Sequence, residues 1–171
     1  GAKGKTLENG TCEPFVASGP GMVPAGKTTD ALVDFTDLLP TFADLAGAKL
    51  PKQYTFDGQS FAPLLTGKAE DGPREWILSM GGGAGTYDKE GRVINVYPYR
   101  DRVVRNKRFK LYIETDRSAA KLVDLANDPA ELKDVMSEPQ FAQHLAELKK
   151  IEETLPSEDS APRYTPLPAK P

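Results

Sequence analysis

The fold is decided by residues 102–114, which read RVVRNKRFKLYIE. Two runs that mix apolar and basic residues flank Asn106-Lys107, and this arrangement predicts a β-hairpin. A third apolar run, residues 122–125, ends at Asn127-Asp128-Pro129 and predicts the next strand. Strands joined by short turns pair in antiparallel order, so this part of the chain predicts a small antiparallel sheet.

The residues that follow predict a helix packed against this sheet. From about Gln140 to Thr154, apolar side chains recur at helical spacing and charged ones fall outside that stripe. Residues 156–171 contain five prolines, which predicts a Pro-rich tail. An antiparallel sheet covered on one face by a helix is an α+β fold.

The residues that precede the hairpin predict further short elements. Trp76–Ser79 has the composition of a strand, and Met80–Gly91 is a glycine-rich loop. Ser60–Leu65 predicts a helical turn that stops at Gly67.

A strand and a longer helix are predicted near the beginning of the chain. Pro14–Ser18 is a short apolar run closed by Gly-Pro-Gly, which is typical of a strand that ends in a turn. Asp37–Ala46 has helical periodicity, with Thr36 as the predicted N-cap and Gly47 as the residue that ends the helix.

Composition excludes several classes of site. The 171 residues include 22 Lys+Arg, 25 Asp+Glu, one Cys and one His. A single Cys excludes an internal disulfide and a Cys-rich zinc site, and a single His excludes a multi-His metal centre. The net charge of −3 argues against a nucleic-acid partner, and no apolar run of 18 residues is present, so we also expect no membrane partner.

Five segments, in order from residue 3 to about residue 136, resemble the sulfatase family. DGQSFAPLLTG is similar, almost letter for letter, to the family's Asp-Gly-x-Ser-h-x-Pro-Leu-Leu-x-Gly. The other four segments are AKGKTLENGTCEPFVASGPG, TTDALVDFTDLLPTFADLAG, VVRNKRFKLYIE and KLVDLANDPAELKDV. All five resemble the last third of an arylsulfatase-like enzyme of the alkaline-phosphatase superfamily, so the resemblance is to the C-terminal portion only.

The resemblance implies a domain organisation. Sulfatases have a large α/β domain and a small C-terminal antiparallel sheet with a helix. By this resemblance, residues 1–67, with their strand and helix, are the edge of the α/β catalytic domain. Residues 68–155 are the antiparallel-sheet subdomain, and residues 156–171 are the tail.

The resemblance also implies a function for the parent protein. It implies a sulfuric ester hydrolase that depends on formylglycine and a metal, usually calcium, whose nucleophile and metal ligands lie upstream of the matched segments. We therefore expect no metal site or other cofactor in this chain, calcium in the intact enzyme, and no activity from the isolated chain. The implied partners are the upstream part of the catalytic domain and a sulfate ester. The resemblance to exported sulfatases implies a periplasmic or extracellular location.

Four residues are candidates for contact with the substrate. Lys3 matches the lysine of the family's Gly-Lys-Gly run, which holds the sulfate oxygens, and Lys5 is its plausible neighbour. A compact ammonium suits this task because it can neutralise the charge that grows on the leaving sulfate ester. Tyr87, Tyr97 and Arg100 lie in or beside the glycine-rich region and are candidates for the rim of the substrate cleft.

Other chemically capable residues are interpreted as structural. Cys12 opens a Cys-x-Pro-x sequence that resembles the formylglycine motif, but Val16 stands in place of the required Arg, so Cys12 is interpreted as a half-buried thiol. Glu8 and Glu13 are expected to pair with buried donors rather than to act as an acid/base pair. His144 is expected to be a half-buried or surface side chain.

The basic residues of the hairpin allow two interpretations. Their alternation with apolar residues predicts a solvated face of the sheet. If they line the cleft instead, they would steer polyanionic sulfated substrates. These residues are Arg100, Arg102, Arg105, Lys107, Arg108 and Lys110.

Two other function classes stay open. One is a non-catalytic interaction or structural module, and the other is a fragment of a related phosphatase or phosphonate hydrolase. In either case Phe15, Val16 and the Asp37–Ala46 helix would expose apolar surface in the isolated chain. We therefore expect self-association or domain swapping.

Overall fold

The computed structural model describes residues 4–82, 86–94 and 98–159. Contacts within the chain divide it into two compact units. Residues 14–77 form the helical unit, and residues up to Glu13 together with those from Leu78 onward form the sheet unit.

The described residues contain six strands and four α-helices. The strands are β1 (Ile77–Met80), β2 (Thr86–Tyr87), β3 (Val93–Ile94), β4 (Arg102–Arg105), β5 (Phe109–Ile113) and β6 (Ala119–Asp124). The helices are α1 (Glu8–Thr11), α2 (Leu38–Leu45), α3 (Ala62–Leu65) and α4 (Ala142–Glu152). No helix in these ranges has the length and apolar character needed to cross a bilayer.

The predicted hairpin is the centre of a four-stranded sheet in the order β1-β4-β5-β6. β5 pairs antiparallel with β4 and with β6, so that Val104, Leu111 and Leu122 lie side by side. The Asn106 side chain makes the turn, because its Oδ1 accepts hydrogen bonds from the amides of Arg108 (2.9 Å) and Phe109 (2.7 Å). The hairpin and the third strand are confirmed.

One face of this sheet is apolar and packs under α4. Val104, Leu111 and Leu122 are completely buried, and so is Leu148 of α4. A 3₁₀ turn at Pro139–Phe141 leads into α4, which confirms the helix predicted at about 140–154. The predicted α+β class, a small antiparallel sheet with a C-terminal helix, is also confirmed.

The opposite face of the sheet is covered as well, which differs from the expectation of a sheet covered on one face. Lys110 and Val123 lie opposite each other on that side and are completely buried. Glu8, from the beginning of the chain, and Glu131, from the loop after β6, both contact the Lys110 ammonium there. Sequence-distant segments therefore cover the second face.

The helical unit contains the predicted longer helix. A 3₁₀ turn at Phe35–Asp37 continues directly into α2. Asp34 caps the turn instead of the predicted Thr36, because its side chain accepts the Thr36 amide at 2.8 Å while the Asp37 carboxylate accepts the Asp34 amide at 2.8 Å. This reciprocal pair is a capping box. The turn predicted at Ser60–Leu65 is confirmed as α3.

Two local predictions differ from the structure. Residues 14–18 form no strand in the described part of the chain, since a strand needs a neighbour for its backbone and no described segment pairs with them. Phe15 instead packs edge-on against Phe61 at 5.7 Å between ring centroids, while Val16 is 89% exposed. The predicted loop at Met80–Gly91 contains β2, which pairs with β3 just after the loop, so that Tyr87 lies opposite Val93.

Candidate functional site

A buried cluster of charges on the second face of the sheet joins the beginning of the chain to β5. We call it the anchor cluster; its residues are Glu8, Arg105, Lys110, Tyr112 and Glu131. The Lys110 side chain is 0% exposed. Its Nζ lies 2.9 Å from Glu8 Oε1 and 2.8 Å from Glu131 Oε1, so one ammonium is shared by two carboxylates.

Glu8 makes contacts in the anchor cluster through both its backbone and its side chain. Its backbone amide donates to Glu131 Oε2 at 2.7 Å, and its Oε2 accepts from Arg105 Nη1 at 2.5 Å. Arg105 lies directly opposite Lys110 in the β4–β5 ladder, so adjacent strands present two cations to the same carboxylate. Two cations and two carboxylates sum to zero charge, which is the condition for burying them together.

Glu131 is the acceptor that completes the anchor cluster. Tyr112 Oη donates to Glu131 Oε1 at 2.6 Å, and the Lys121 ammonium donates to the Glu131 carbonyl oxygen. Burial alone would raise the pKa of Glu131, but the Lys110 ammonium, the Tyr112 hydroxyl and the Glu8 amide outweigh it and lower that pKa. Glu131 therefore stays ionised at neutral pH.

The phenol of Tyr112 stays neutral for the complementary reason. Desolvation, the hydrogen bond to Glu131 and the nearby carboxylate charges raise the pKa of Tyr112 far above its ordinary value. An ionised carboxylate and a neutral phenol exchange no proton near pH 7, so this pair is suited to holding geometry rather than to acid–base catalysis. The structural interpretation of Glu8 is confirmed, whereas Glu13 is exposed.

A second buried ion pair organises the helical unit. Asp37 is buried and accepts from Arg74 Nε at 2.8 Å, from the Arg74 Nη2 group and from the Gln59 amide at 2.7 Å. Thr41 Oγ1 accepts the Phe61 amide at 3.0 Å. Two of the sulfatase-like segments, DLLPT and DGQSF, are therefore joined by hydrogen bonds from Asp37 and Thr41.

A third ion pair holds the residues that follow α4. Both oxygens of Asp159 accept from Arg102 Nη2, at 2.7 and 2.8 Å, and Oδ2 also accepts the Arg100 amide at 2.8 Å. The Arg102 guanidinium lies 3.4 Å from the centroid of the Tyr99 ring, whose hydroxyl donates to Glu152 Oε1 at 2.9 Å. We call this group the Asp159 clamp; its residues are Tyr99, Arg100, Arg102, Glu152 and Asp159.

The prediction of a solvated basic face on the hairpin is wrong for Arg102 and Lys110, whereas Lys107 and Arg108 are exposed. Arg102 is 2% exposed, and Lys110 is completely buried. Arg102 pairs with Asp159, Lys110 with Glu8 and Glu131, and Arg108 with Asp124 at 2.7 Å. The carboxylates come mostly from distant segments, so the local alternation of basic and apolar residues could not reveal them.

The four candidate substrate residues fall in different places. Lys3 and Tyr97 lie outside the described residues. Tyr87 is in β2 with 74% of its surface exposed. Arg100 is half-buried and donates to Asp159 and, from Nη2, to Met80 Sδ at 3.4 Å, so it is part of the Asp159 clamp. In the described part of the chain, Tyr87 and Arg100 are not hydrogen-bonded to each other.

The other chemically capable residues, His144 and Cys12, are not part of a catalytic arrangement in the described part of the chain. His144 stacks on Phe109 with 4.2 Å between ring centroids and has Glu147 Oε2 3.3 Å from Nδ1, at the surface. Cys12 is exposed rather than half-buried, because it follows α1 instead of starting a strand. Within residues 4–82, 86–94 and 98–159, no three His, Cys, Asp or Glu side chains converge in a way that could hold a metal ion.

Sequence reasoning predicted that Glu8 pairs with a buried donor, but it missed Glu131 and Asp159, the other carboxylates that pair with buried cations. Glu131 is the Glu of the Asp-Pro-Ala-Glu run in the last sulfatase-like segment, and that motif was the signal that could have found it. Its φ of +58°, uncommon for a residue with a side chain, shows that the loop holds it in a special conformation. Asp159 lies in a Pro-rich segment that offers no comparable signal.

The comparison with family models decides the assignment. Residues 3–157 match the family described as N-sulphoglucosamine sulphohydrolase, C-terminal. The chain belongs to this family. The match spans the helical unit, all five residues of the anchor cluster and α4. It confirms the resemblance to the C-terminal portion of a sulfatase.

Comparisons with individual proteins agree with the assignment of this chain to the C-terminal sulfatase domain family. An ulvan-active sulfatase from Formosa agariphila is 31% identical over 156 residues, which cover 75% of this chain and 29% of that protein. The structure of a 2-O GAG sulfatase is 28% identical with a TM-score of 0.60, and the match covers 80% of this chain and 27% of that one. The chain thus spans less than a third of the length of either protein.

The fold extends beyond sulfatases. A phosphonate monoester hydrolase from Silicibacter pomeroyi has a TM-score of 0.58 at 24% identity, over 80% of this chain and 27% of that one. This likeness shows the fold alone.

Proposed function

We propose that this chain is the C-terminal part of a sulfatase, an enzyme that hydrolyses sulfuric esters with a formylglycine nucleophile and a bound metal. The observation that carries the proposal is the family match over residues 3–157. The ulvan-active sulfatase and the 2-O GAG sulfatase support it, because both match three quarters or more of this chain.

In this proposal the chain supplies contacts to the sulfate ester rather than the nucleophile. Lys3 would hold the sulfate oxygens, and Tyr87, Tyr97 and Arg100 would contact the rest of the substrate. The charge of a lysine ammonium stabilises the negative charge that develops as the ester bond breaks. We therefore expect the isolated chain to be inactive.

Calcium, which the family resemblance implies for the intact enzyme, does not fit the side chains of the described residues. No three acidic, His or Cys side chains converge there. Its ligands would have to come from the upstream part of the enzyme.

The proposed partner of the helical unit is that upstream part of the catalytic domain. Several large apolar side chains of the helical unit are exposed, although side chains of this type normally lie in a core or an interface. They are Phe15, Val16, Phe35, Leu39 and Phe42. We further propose a periplasmic or extracellular location, as for exported sulfatases.

The test is hydrolysis of an aryl sulfate by the full-length enzyme that carries this chain. We expect turnover that falls at least about 100-fold in Lys3→Ala, which is the size of effect typical for loss of a charge-stabilising donor. Lys27→Ala, which changes an exposed lysine of the helical unit that is not a candidate site residue, is the matched control and should keep the parent rate. Turnover by the isolated chain above a denatured control would contradict the expectation that the isolated chain is inactive.

The alternative within the same fold is a phosphonate or phosphate ester hydrolase. The phosphonate monoester hydrolase from Silicibacter pomeroyi favours it through the fold alone. Comparing kcat/KM for an aryl sulfate and for the matching aryl phosphonate separates the two activities. If the full-length protein turns over neither substrate, a non-catalytic interaction module becomes the better hypothesis.

A further inference from the structure

The Asp159 clamp surrounds a carboxylate of this chain with several hydrogen-bond donors of the sheet unit. Arg102 Nη2 donates to both oxygens of Asp159, at 2.7 and 2.8 Å. The Arg100 amide donates to Oδ2 at 2.8 Å, and the Arg100 Nε lies 3.5 Å from the same oxygen. Hydrogen bonds with an ionised donor or acceptor are roughly twice as strong as neutral ones. The clamp therefore has the donor set of a carboxylate-binding site, and Asp159 is the carboxylate that it holds.

The donor side of the clamp is held in place by contacts that do not involve Asp159. Arg102 lies in β4, between β1 and β5, and its Nε donates to the Arg100 carbonyl oxygen at 3.0 Å. The Arg102 guanidinium lies 3.4 Å from the centroid of the Tyr99 ring, and the Tyr99 hydroxyl donates to Glu152 of α4. These contacts would keep the guanidinium in position if Asp159 left the clamp.

The acceptor side is attached to the sheet unit by fewer elements. Asp159 lies seven residues beyond Glu152, the last residue of α4, and belongs to no helix or strand. Residues 156–158, which precede it, are exposed and add little packing. The Asp159 amide donates to the Pro98 carbonyl oxygen at 2.7 Å, so backbone and carboxylate of this residue are both bound. The segment can therefore leave the clamp without unfolding the sheet.

A clamp without Asp159 should attract another anion. The Arg102 side chain is only 2% exposed, so its charge lies where water is largely excluded. A buried cation without a counter-ion is costly, and a carboxylate from another molecule would remove that cost. The Pro98 carbonyl adds a second requirement, because it accepts from the backbone amide of the residue that carries the carboxylate. An aspartate within a peptide meets both requirements.

We propose that Arg102, the Arg100 amide and the Pro98 carbonyl form a binding site for an acidic peptide. Asp159 occupies this site as an internal ligand. The ligand in trans is an aspartate of another molecule, which presents its carboxylate to the two arginines and its own amide to Pro98. Asp159 controls access to the site, because a ligand must replace it. The proposal goes beyond sulfate ester hydrolysis and does not depend on it.

The decisive variant is Asp159→Ala, which removes the internal ligand and leaves the donors. The probe is the peptide acetyl-Leu-Pro-Ser-Glu-Asp-amide, which copies residues 155–159. We expect saturable binding that shifts the NMR resonance of the Arg100 amide toward its position in the parent, because this amide donates to the carboxylate. The same peptide with Asn as its last residue should cause no such shift. Absence of a saturable shift with the Asp peptide would overturn the proposal.

Comparison with the parent chain shows whether Asp159 is the competing occupant. The parent should bind the peptide at least about 10-fold more weakly, since the site is available only in molecules from which Asp159 has left. Glu158→Ala is the matched control, because it removes an exposed carboxylate of the same segment, and it should bind like the parent. Arg102→Gln combined with Asp159→Ala should abolish binding. Equal affinity of the parent and Asp159→Ala would contradict competition by Asp159 and overturn the proposal.

Two sources supply such a peptide, a second copy of this chain and another protein, and a mixing experiment distinguishes them. Arg102→Gln keeps the acidic segment but lacks the site, whereas Asp159→Ala keeps the site but lacks the internal ligand. If a second copy is the source, light scattering of the mixture should show a mass that neither variant reaches alone. If the peptide binds but the mixture shows no added mass, the ligand is a segment of another protein.

Hydrogen exchange on the parent chain tests the proposal even if Asp159→Ala does not fold. At high peptide concentration, exchange of the Asp159 amide should become faster, because this amide loses the Pro98 carbonyl. The Arg100 amide should stay protected, because the incoming carboxylate accepts from it in place of Asp159. Unchanged exchange of the Asp159 amide would overturn the proposal.

Discussion

At the scale of single residues, Gly58 shows how closely two sulfatase-like segments approach each other. A β-carbon on Gly58 would lie 1.9 Å from the carbonyl oxygen of Thr36, a distance no real contact allows. The neighbouring Gln59 amide donates to the buried carboxylate of Asp37 at 2.7 Å, so the backbone cannot move away without breaking this hydrogen bond. The glycine of the DGQS run is thus required by space rather than by a special backbone angle.

Gly58→Ala should therefore destabilise the helical unit by about 3 kcal/mol or more, as overpacking against backbone does. Gly72→Ala is the matched control. Its β-carbon would meet Ala31 Cβ at an ordinary 3.5 Å, and its effect should stay within about 0.5 kcal/mol. Urea denaturation of both variants measures the difference. Equal stability of the two would contradict the close approach.

Asp124, at the end of β6, makes the stability of the folded chain depend on pH in a direction that can be predicted. Its carboxylate accepts from Arg108 Nε at 2.9 Å and from Asn127 Nδ2 at 2.8 Å. The Arg108 guanidinium, which is the largest cause, and the Asn127 amide lower the pKa of Asp124 to about 2 in spite of its burial. An unfolded aspartate has a pKa of about 3.9, so the folded state favours the ionised form.

A lowered pKa means that the stabilisation is complete above about pH 4 and is lost as the pH falls toward 2. Asp124→Asn should therefore be less stable than the parent by a constant amount above pH 4, and this gap should shrink between pH 4 and 2. Denaturation curves across pH 2–7 measure the gap. A gap that stays constant down to pH 2 would show that Asp124 is not the group responsible.

At the scale of elements, α4 depends on Leu148. This side chain is completely buried against the apolar face of the sheet. The helix has no side-chain cap at its beginning, and most of an amphipathic helix's stability comes from packing. Packing of α4 on β4 and β5 is therefore the main interaction that holds it.

Leu148→Ala should lower the free energy of unfolding of the sheet unit by about 2–5 kcal/mol, since it removes buried methyl groups and leaves a cavity. Leu132→Ala makes the same chemical change at a side chain that is 85% exposed, and should have an effect within about 0.5 kcal/mol. Thermal unfolding followed by circular dichroism compares them. Equal melting temperatures would contradict the assigned core.

Local elements could be predicted from sequence where short-range periodicity decides them. The hairpin around Asn106, the helix that contains Leu148 and the turn that stops at Gly67 all follow from neighbouring residues. Pro14–Ser18 could not be predicted in this way, because a strand depends on a partner and not on its own composition. The same reason hid the anchor cluster, whose carboxylates lie more than 100 residues apart in sequence.

At the scale of the whole molecule, the exposed apolar side chains of the helical unit have a consequence in solution. Phe35, Leu39 and Phe42 lie within one turn-and-helix segment and are each more than half exposed. Such a patch is typical of an interface. Without its proposed upstream partner, the isolated chain should cover this surface by self-association.

Light scattering should therefore show an average mass that rises above that of the 18.6 kDa chain as concentration increases. Phe35→Ser combined with Phe42→Ser should reduce the association, because it removes two large apolar side chains from the patch. Lys49→Ser combined with Lys52→Ser changes exposed residues outside it and is the control. A monomer at every concentration would contradict the prediction.

The separation of Glu8 from Glu131 also has a consequence for biosynthesis. The helical unit is continuous in sequence and leaves the ribosome complete, whereas Glu8 is made before it and its partner after it. At about 5–20 residues per second, roughly 6–25 s pass before Glu131 can meet the Glu8 amide. During that interval the Glu8 amide of the nascent chain has no contact with Glu131. Ribosomes stalled before and after the codon for Glu131 would therefore differ in how readily a protease cuts near Glu8.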